Sequence, residues 1–184
     1  MRILVIRHAI AMDREDFQRK SKLRAKKMGA RAGEANDDLR PLTADGIKKM
    51  KRNAKGLVAL SEKPGILVTS PLTRAEQTAE IVRDAWGDLE MAICEFLRPG
   101  SDHDELSKWL LQQPQGTARK GLIAVVGHEP HLSSMTSWFL TGSPKSLFEL
   151  KKGGACLLDF PTKLERGRGK LLWLLTPSQL TLAK

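Results

Sequence analysis

The chain has 184 residues, 41% of them hydrophobic, and a formal net charge of +10. That length and apolar content fit one domain whose core needs neither metal nor disulfide, and no stretch reaches the roughly 20 apolar residues of a membrane-spanning helix. Two cysteines, Cys94 and Cys156, make no disulfide framework and no zinc-ligand spacing.

The first strand is expected over Arg2 to Ile6, a short Ile/Leu/Val run of the buried kind. Arg7 and His8 interrupt it, which leaves an apolar run too short for a signal-peptide core, so a cytoplasmic location is expected. Residues from about Met12 to Asp38 read as an inserted, partly helical segment. Between Arg14 and Arg31 it carries eight basic residues against Glu15 and Asp16, more than half of the net charge. No nucleic-acid motif accompanies it and the chain lacks tyrosine, so a nucleic-acid partner is not expected.

Thr43 reads as the N-cap of a helix from about Ala44 to Leu60, with Leu42 and Ile47 placed as a hydrophobic staple. A turn at Ser61 to Gly65 precedes a second buried strand, Ile66 to Val68, and a helix from about Leu72 to Ala85. A short strand is expected at Met91 to Ile93, and a helix capped by Asp102 runs through Leu111. The third convincing strand is Gly121 to Val126, followed by a helix through Leu140. Two closing strands, Ala155 to Phe160 and Lys170 to Leu175, flank Gly167 and Gly169. This order predicts a three-layer α/β/α sandwich with a mostly parallel central sheet, in a single domain over residues 1–184. Trp86, Trp109, Trp138 and Trp173 occupy apolar positions and are assigned to packing.

Chemistry collects at three strand ends. Arg7-His8 follows the first strand, Ser70-Pro71-Leu72-Thr73-Arg74 the second, and Gly127-His128 the third. Ligand sites in open α/β sheets lie beyond the carboxyl ends of the strands, so these residues converge if the three strands are neighbours. Two arginines that stay charged and two histidines suit a phosphoryl group. A neutral His8 is then the nucleophile, its second ring nitrogen donating to a backbone carbonyl, and His128 adds a hydrogen bond or a charge.

Four blocks of sequence carry a family resemblance: Arg7-His8-Ala9, Leu42-Thr43-x-x-Gly46, Ser70 to Ala79, and Val126-Gly127-His128-Glu129-Pro130. They resemble the histidine phosphatase superfamily, whose fold is phosphoglycerate-mutase-like, and within it the SixA-type phosphohistidine phosphatases. The resemblance runs from Met1 to about Pro177, and its most specific block is Ser70 to Thr78. It implies that His8 is the phosphorylated nucleophile and that Arg7, Arg74 and His128 complete the phosphate pocket, with no metal and no cofactor.

Ala9 stands where many relatives have glycine, as in the SixA-like branch. Phosphoglycerate-mutase-like members carry a glutamate where this chain has Pro99, after Leu97-Arg98. An alkoxide leaving group needs such an acid, whereas the imidazole released from a P–N bond does not. Asp102 and His103 are the candidates to replace it. Arg40 either faces the pocket or makes a surface salt bridge, and His131 is given a structural or rim role. The expected reaction is removal of phosphate from a histidine of a phosphoprotein, such as a phosphotransfer domain, by a monomeric enzyme without a membrane partner. The alternatives are a phosphatase for small phosphate monoesters and a non-catalytic phosphate-recognising module that docks an acidic partner through Arg14 to Arg31.

Overall fold

The computed structural model describes residues 1–28, 33–87, 89–113 and 121–183. Six strands form one sheet: β1 (Arg2–Arg7), β2 (Ile66–Thr69), β3 (Met91–Ile93), β4 (Leu122–Gly127), β5 (Ala155–Asp159) and β6 (Lys170–Leu175). Their order across the sheet is β3-β2-β4-β1-β5-β6. The first four are mutually parallel, β5 runs antiparallel to β1, and β6 antiparallel to β5. The mostly parallel α/β/α architecture is therefore the one observed.

Alternation along the central strands builds both cores. Ile3 and Val5 of β1, Ile66 and Val68 of β2, and Ile123 and Val125 of β4 belong to one buried cluster. Leu4 and Ile6, Leu67, and Ala124 and Val126 belong to the other. A strand buried on both faces has no polar position to spare, so these segments read as continuous apolar runs. The first cluster is closed by α4 (His103–Gln112) and α5 (His131–Thr141). The second is closed by α2 (Ala44–Leu60), α3 (Thr73–Trp86) and a short terminal helix, α6 (Pro177–Leu182).

Helix α2 starts as the sequence predicts: the Thr43 hydroxyl accepts from Gly46 N at 2.9 Å. Its buried positions Gly46, Met50, Asn53, Ala54 and Leu57 recur at helical spacing and face the sheet. Two glycines let neighbours approach closely. A Cβ on Gly46 would lie 2.2 Å from Ile10 O, and one on Gly56 would lie 1.9 Å from Leu180 O. Helix α6 was not anticipated, yet its signal is present, a Thr176 capping box with Gln179 and a proline opening the helix.

The segment read as inserted contains α1 (Arg14–Lys27), capped by Asp13, which accepts from Glu15 N and Asp16 N. None of the residues of α1 is buried. The chain returns through Asp37–Leu39, a short 3₁₀ helix. Part of the predicted basic segment, including Arg31, lies outside the described residues. No described helix is long and apolar enough to cross a membrane.

Candidate active site

Strand order places the chemistry. In the sheet β4 lies between β1 and β2, with Arg7 opposite Gly127 and Thr69 opposite Val126. The next residues of each chain segment stay in register, because His8 N donates to Gly127 O and Ser70 N to Val126 O, both at 3.0 Å. His8, His128 and Ser70 therefore emerge from three adjacent strands at their carboxyl ends. The His8 and His128 rings lie 5.0 Å apart, centroid to centroid.

Both rings are buried. His8 Nδ1 sits 2.7 Å from Ala9 O. A carbonyl only accepts, so Nδ1 carries the proton and Nε2 keeps its lone pair in the neutral ring. Burial lowers the His8 pKa to about 4 against the opposing pull of the Ala9 carbonyl, and the charges of Arg74, Arg7 and Arg40 lower it further. His128 Nε2 lies 2.9 Å from the Ser70 hydroxyl. Burial first, then His8 and Arg74, push the His128 pKa down to about 2. Each ring is neutral near pH 7 in the unliganded protein.

Arg7 is fixed by its Nη1, which donates to Leu150 O and to the Glu149 carboxylate. Arg74, the second residue of α3, donates from Nη1 to Asp37 O at 3.0 Å and faces the Asp37 carboxylate at 3.5 Å. The Nε atoms of both arginines and Nδ1 of His128 are buried without a hydrogen-bond partner among the described residues. A buried donor left unmet costs about 1–3 kcal/mol, and such groups call for an explanation. Two guanidiniums and an imidazole with capacity in reserve, around a neutral histidine, are what an incoming phosphoryl group would satisfy.

Several supporting residues escape a reading of the sequence. Asp37 is the main one: it accepts from Arg40 at 2.8 Å and Arg14 at 3.3 Å and faces Arg74. Partial burial raises its pKa, but the Arg40 hydrogen bond and the charges of Arg40, Arg74 and Arg14 prevail and leave it lowered. It is ionised at neutral pH and holds no proton to give. Thr78 accepts from Ala9 N and donates to Arg74 O, tying the loop after β1 to α3. Gln77 accepts from Leu42 N, and Glu129 accepts from Leu150 N beside the Arg7 anchor. Ser70, at the second strand end and first in the most specific family block, receives no individual role from sequence. A pairing across 58 residues leaves no trace in local sequence pattern.

Of the two expectations for Arg40, the structure shows the salt bridge. Arg40 is salt-bridged to Asp37 and donates to Met12 O, and its charge still bears on His8 and His128. The two candidate acids are engaged elsewhere. Asp102 caps α4 by accepting from Asp104 N and Glu105 N, which lowers its pKa. His103 contacts Ser134, the His131 ring at 4.8 Å and the Trp138 ring at 6.0 Å. Among the described residues neither makes a hydrogen bond or a ring contact with His8. Arg98, beside Pro99, pairs with Asp38 and Glu95. Among the described residues no group of three or more His, Cys, Asp or Glu could hold a metal ion.

The chain is similar to known proteins. Residues 26–99 match the model of the histidine phosphatase superfamily, branch 1. An uncharacterized protein of Picosynechococcus sp. is 30% identical over 84% of this chain and 82% of its own. Phosphohistidine phosphatase SixA of Escherichia coli is 28% identical over 82% of this chain and 89% of its own. A solved structure of the protein histidine phosphatase SixA complexed with tungstate superposes with a TM-score of 0.73 at 21% identity, covering 98% of this chain and 99% of that one. The chain belongs to the histidine phosphatase superfamily, and it is similar to the SixA proteins within it.

Proposed function

We propose that the protein hydrolyses phosphohistidine in a partner protein, with His8 as the nucleophile. The observation that carries this reading is the neutral His8, its Nδ1–H fixed by Ala9 O, beside Arg7, Arg74 and His128. In the first step the His8 Nε2 lone pair attacks phosphorus and the substrate's P–N bond breaks. The substrate imidazole, protonated on its other nitrogen, departs as a neutral ring. In the second step water attacks the phosphorus on His8, inorganic phosphate leaves, and His8 regains its lone pair. Arg7 and Arg74 stabilise the charge on the non-bridging oxygens through both steps, and His128 donates to the same group once it carries a proton on the facing nitrogen.

The substrate assignment rests on proton supply. Of the two carboxylates that reach the pocket arginines, Asp37 is ionised and Glu149 is paired with Arg7, and Asp102 is occupied as a cap. An alkoxide would leave such a site without the proton it needs, while a protonated imidazole ring needs none. The relative named phosphohistidine phosphatase supports the same choice.

The test is a side-by-side assay of a ³²P-labelled phosphohistidine protein and a set of small phosphate monoesters. Faster turnover of the phosphoprotein, with label trapped on His8 under rapid quench, is expected. Label that never appears on His8 would sink the mechanism. Faster cleavage of a monoester would overturn the substrate.

A further inference from the structure

A cleft of about 660 Å³ opens at the same end of the sheet as His8 but is lined from the opposite side. His128 and Ser70 reach His8 from β4 and β2, whereas the cleft is bounded by α2, the turn before β5 and the start of α6. Its apolar lining includes Ile10, Met50 and Pro177, and its charged lining is Lys49, Arg52, Lys151 and Lys152. No Asp or Glu lines it. Lys49 pairs with Asp45 at 2.8 Å, and the other three cations make no ion pair among the described residues.

The walls are braced. Asn53, buried on α2, donates from Nδ2 to Gly153 O at 3.1 Å and accepts from the Thr181 hydroxyl of α6 at 2.9 Å. Gly153 N in turn donates to Arg7 O and His8 O, at 3.2 and 3.1 Å. One wall of the cleft is thus hydrogen-bonded to the backbone of the proposed catalytic residues.

Three unpaired cations beside Lys49, around a concavity lined by no carboxylate among the described residues, raise the local concentration of anions. A braced concavity of several hundred Å³ is the size of a small-molecule site, not of a protein docking face. We propose that this cleft is a second, non-catalytic site for an organic phosphate of nucleotide size. Its phosphates meet Arg52, Lys151 and Lys152, and its less polar body lies over Ile10, Met50 and Pro177. The site does not depend on the phosphatase reading, since none of Arg7, His8, Arg74 and His128 lines it.

Calorimetric titration of the full chain with ATP tests this, with tungstate present to occupy the phosphate pocket. Saturable binding at one site is expected. The double variant Lys151→Glu/Lys152→Glu and, separately, Arg52→Glu should each weaken it at least tenfold, with circular dichroism unchanged. Tripolyphosphate, which has charge but no apolar body, should bind several-fold more weakly than ATP. Absence of saturable ATP binding at millimolar concentration would overturn the proposal. So would binding indifferent to both charge reversals, or tripolyphosphate binding as tightly as ATP. Because the readout is binding at the cleft, loss of phosphatase activity and loss of this site are separately visible.

Discussion

At the scale of single residues, the proposed mechanism separates a nucleophile, His8, from the groups that orient it. His8→Ala removes the atom that forms the bond to phosphorus, and turnover is expected to fall on the order of a thousandfold or more. Arg74→Ala removes a charged donor aimed at the transferring group, for an expected loss of roughly a hundredfold in kcat/KM. Asp37 acts through Arg74, which its carbonyl and carboxylate hold. Asp37→Asn keeps the shape and the carbonyl but removes the charge, so about a tenfold rise in KM with a smaller change in kcat is expected. Steady-state kinetics on the phosphohistidine protein would show whether the split runs that way. The pH profile is a further check. His8 must be neutral to attack, and its pKa stands at about 4, so kcat/KM should hold level from pH 7 to 5 and fall only near pH 4. An acid limb near 6.5 would mean that burial and the arginines do not act on His8 as the geometry indicates. The sequence made His8, Arg7, Arg74 and His128 legible because each sits beside a strand end or in a family block. Asp37 was not legible, since it meets Arg74 across 37 residues, and neither was the pairing of Ser70 with His128, which spans 58.

At the scale of elements, α1 and α2 show opposite relations between a helix and the fold. Met50, Ala54 and Leu57 of α2 are fully buried, and the helix is held by that face. Alanine at Gly46 or Gly56 would drive a Cβ into the backbone of Ile10 or Leu180. A loss of about 1–3 kcal/mol is expected from each by urea unfolding, as overpacked sites show. Helix α1 buries nothing, and its described basic residues face solvent or pair locally, as Arg19 does with Asp16. Its near end is nonetheless tied to the pocket, because Arg14 and Arg74 share Asp37. If α1 meets an acidic face of the phosphoprotein, reversing Lys20, Lys22 and Lys26 to Glu should raise KM for the protein about tenfold and leave a small phosphoramidate unaffected. Equal loss on both substrates would assign α1 to the pocket itself.

Across the whole molecule the four histidines form two ring pairs, His8 with His128 and His103 with His131. Burial lowers the pKa of every one, to about 4 for His8 and His131 and about 2 for His128. The unfolded chain then binds more protons than the folded one below the ordinary histidine value of about 6.5. Stability therefore stands at full value above that pH and declines as pH falls toward the folded values. Between pH 7 and 5 the decline is roughly 2 kcal/mol for each of the three most buried histidines. Urea midpoints across that range measure it, and His131→Asn should flatten the slope. An unchanged midpoint from pH 7 to 5 would contradict the burial of these rings.

Local sequence by itself determined the strands, the helix caps at Thr43 and Asp102, and the residue types at the strand ends. Each of these depends on near neighbours: an apolar run, a side chain reaching the next turn, a change from apolar to charged. Only the tertiary structure decided that β4 lies between β1 and β2, which is what brings His128 and Ser70 to His8. It alone decided that the end of the basic segment folds back so that Asp37 meets Arg74, and that Asp102 is taken up by its own helix. Those outcomes follow from sheet order and from hydrogen bonds between residues distant in the chain. Chain spacing carries no record of either.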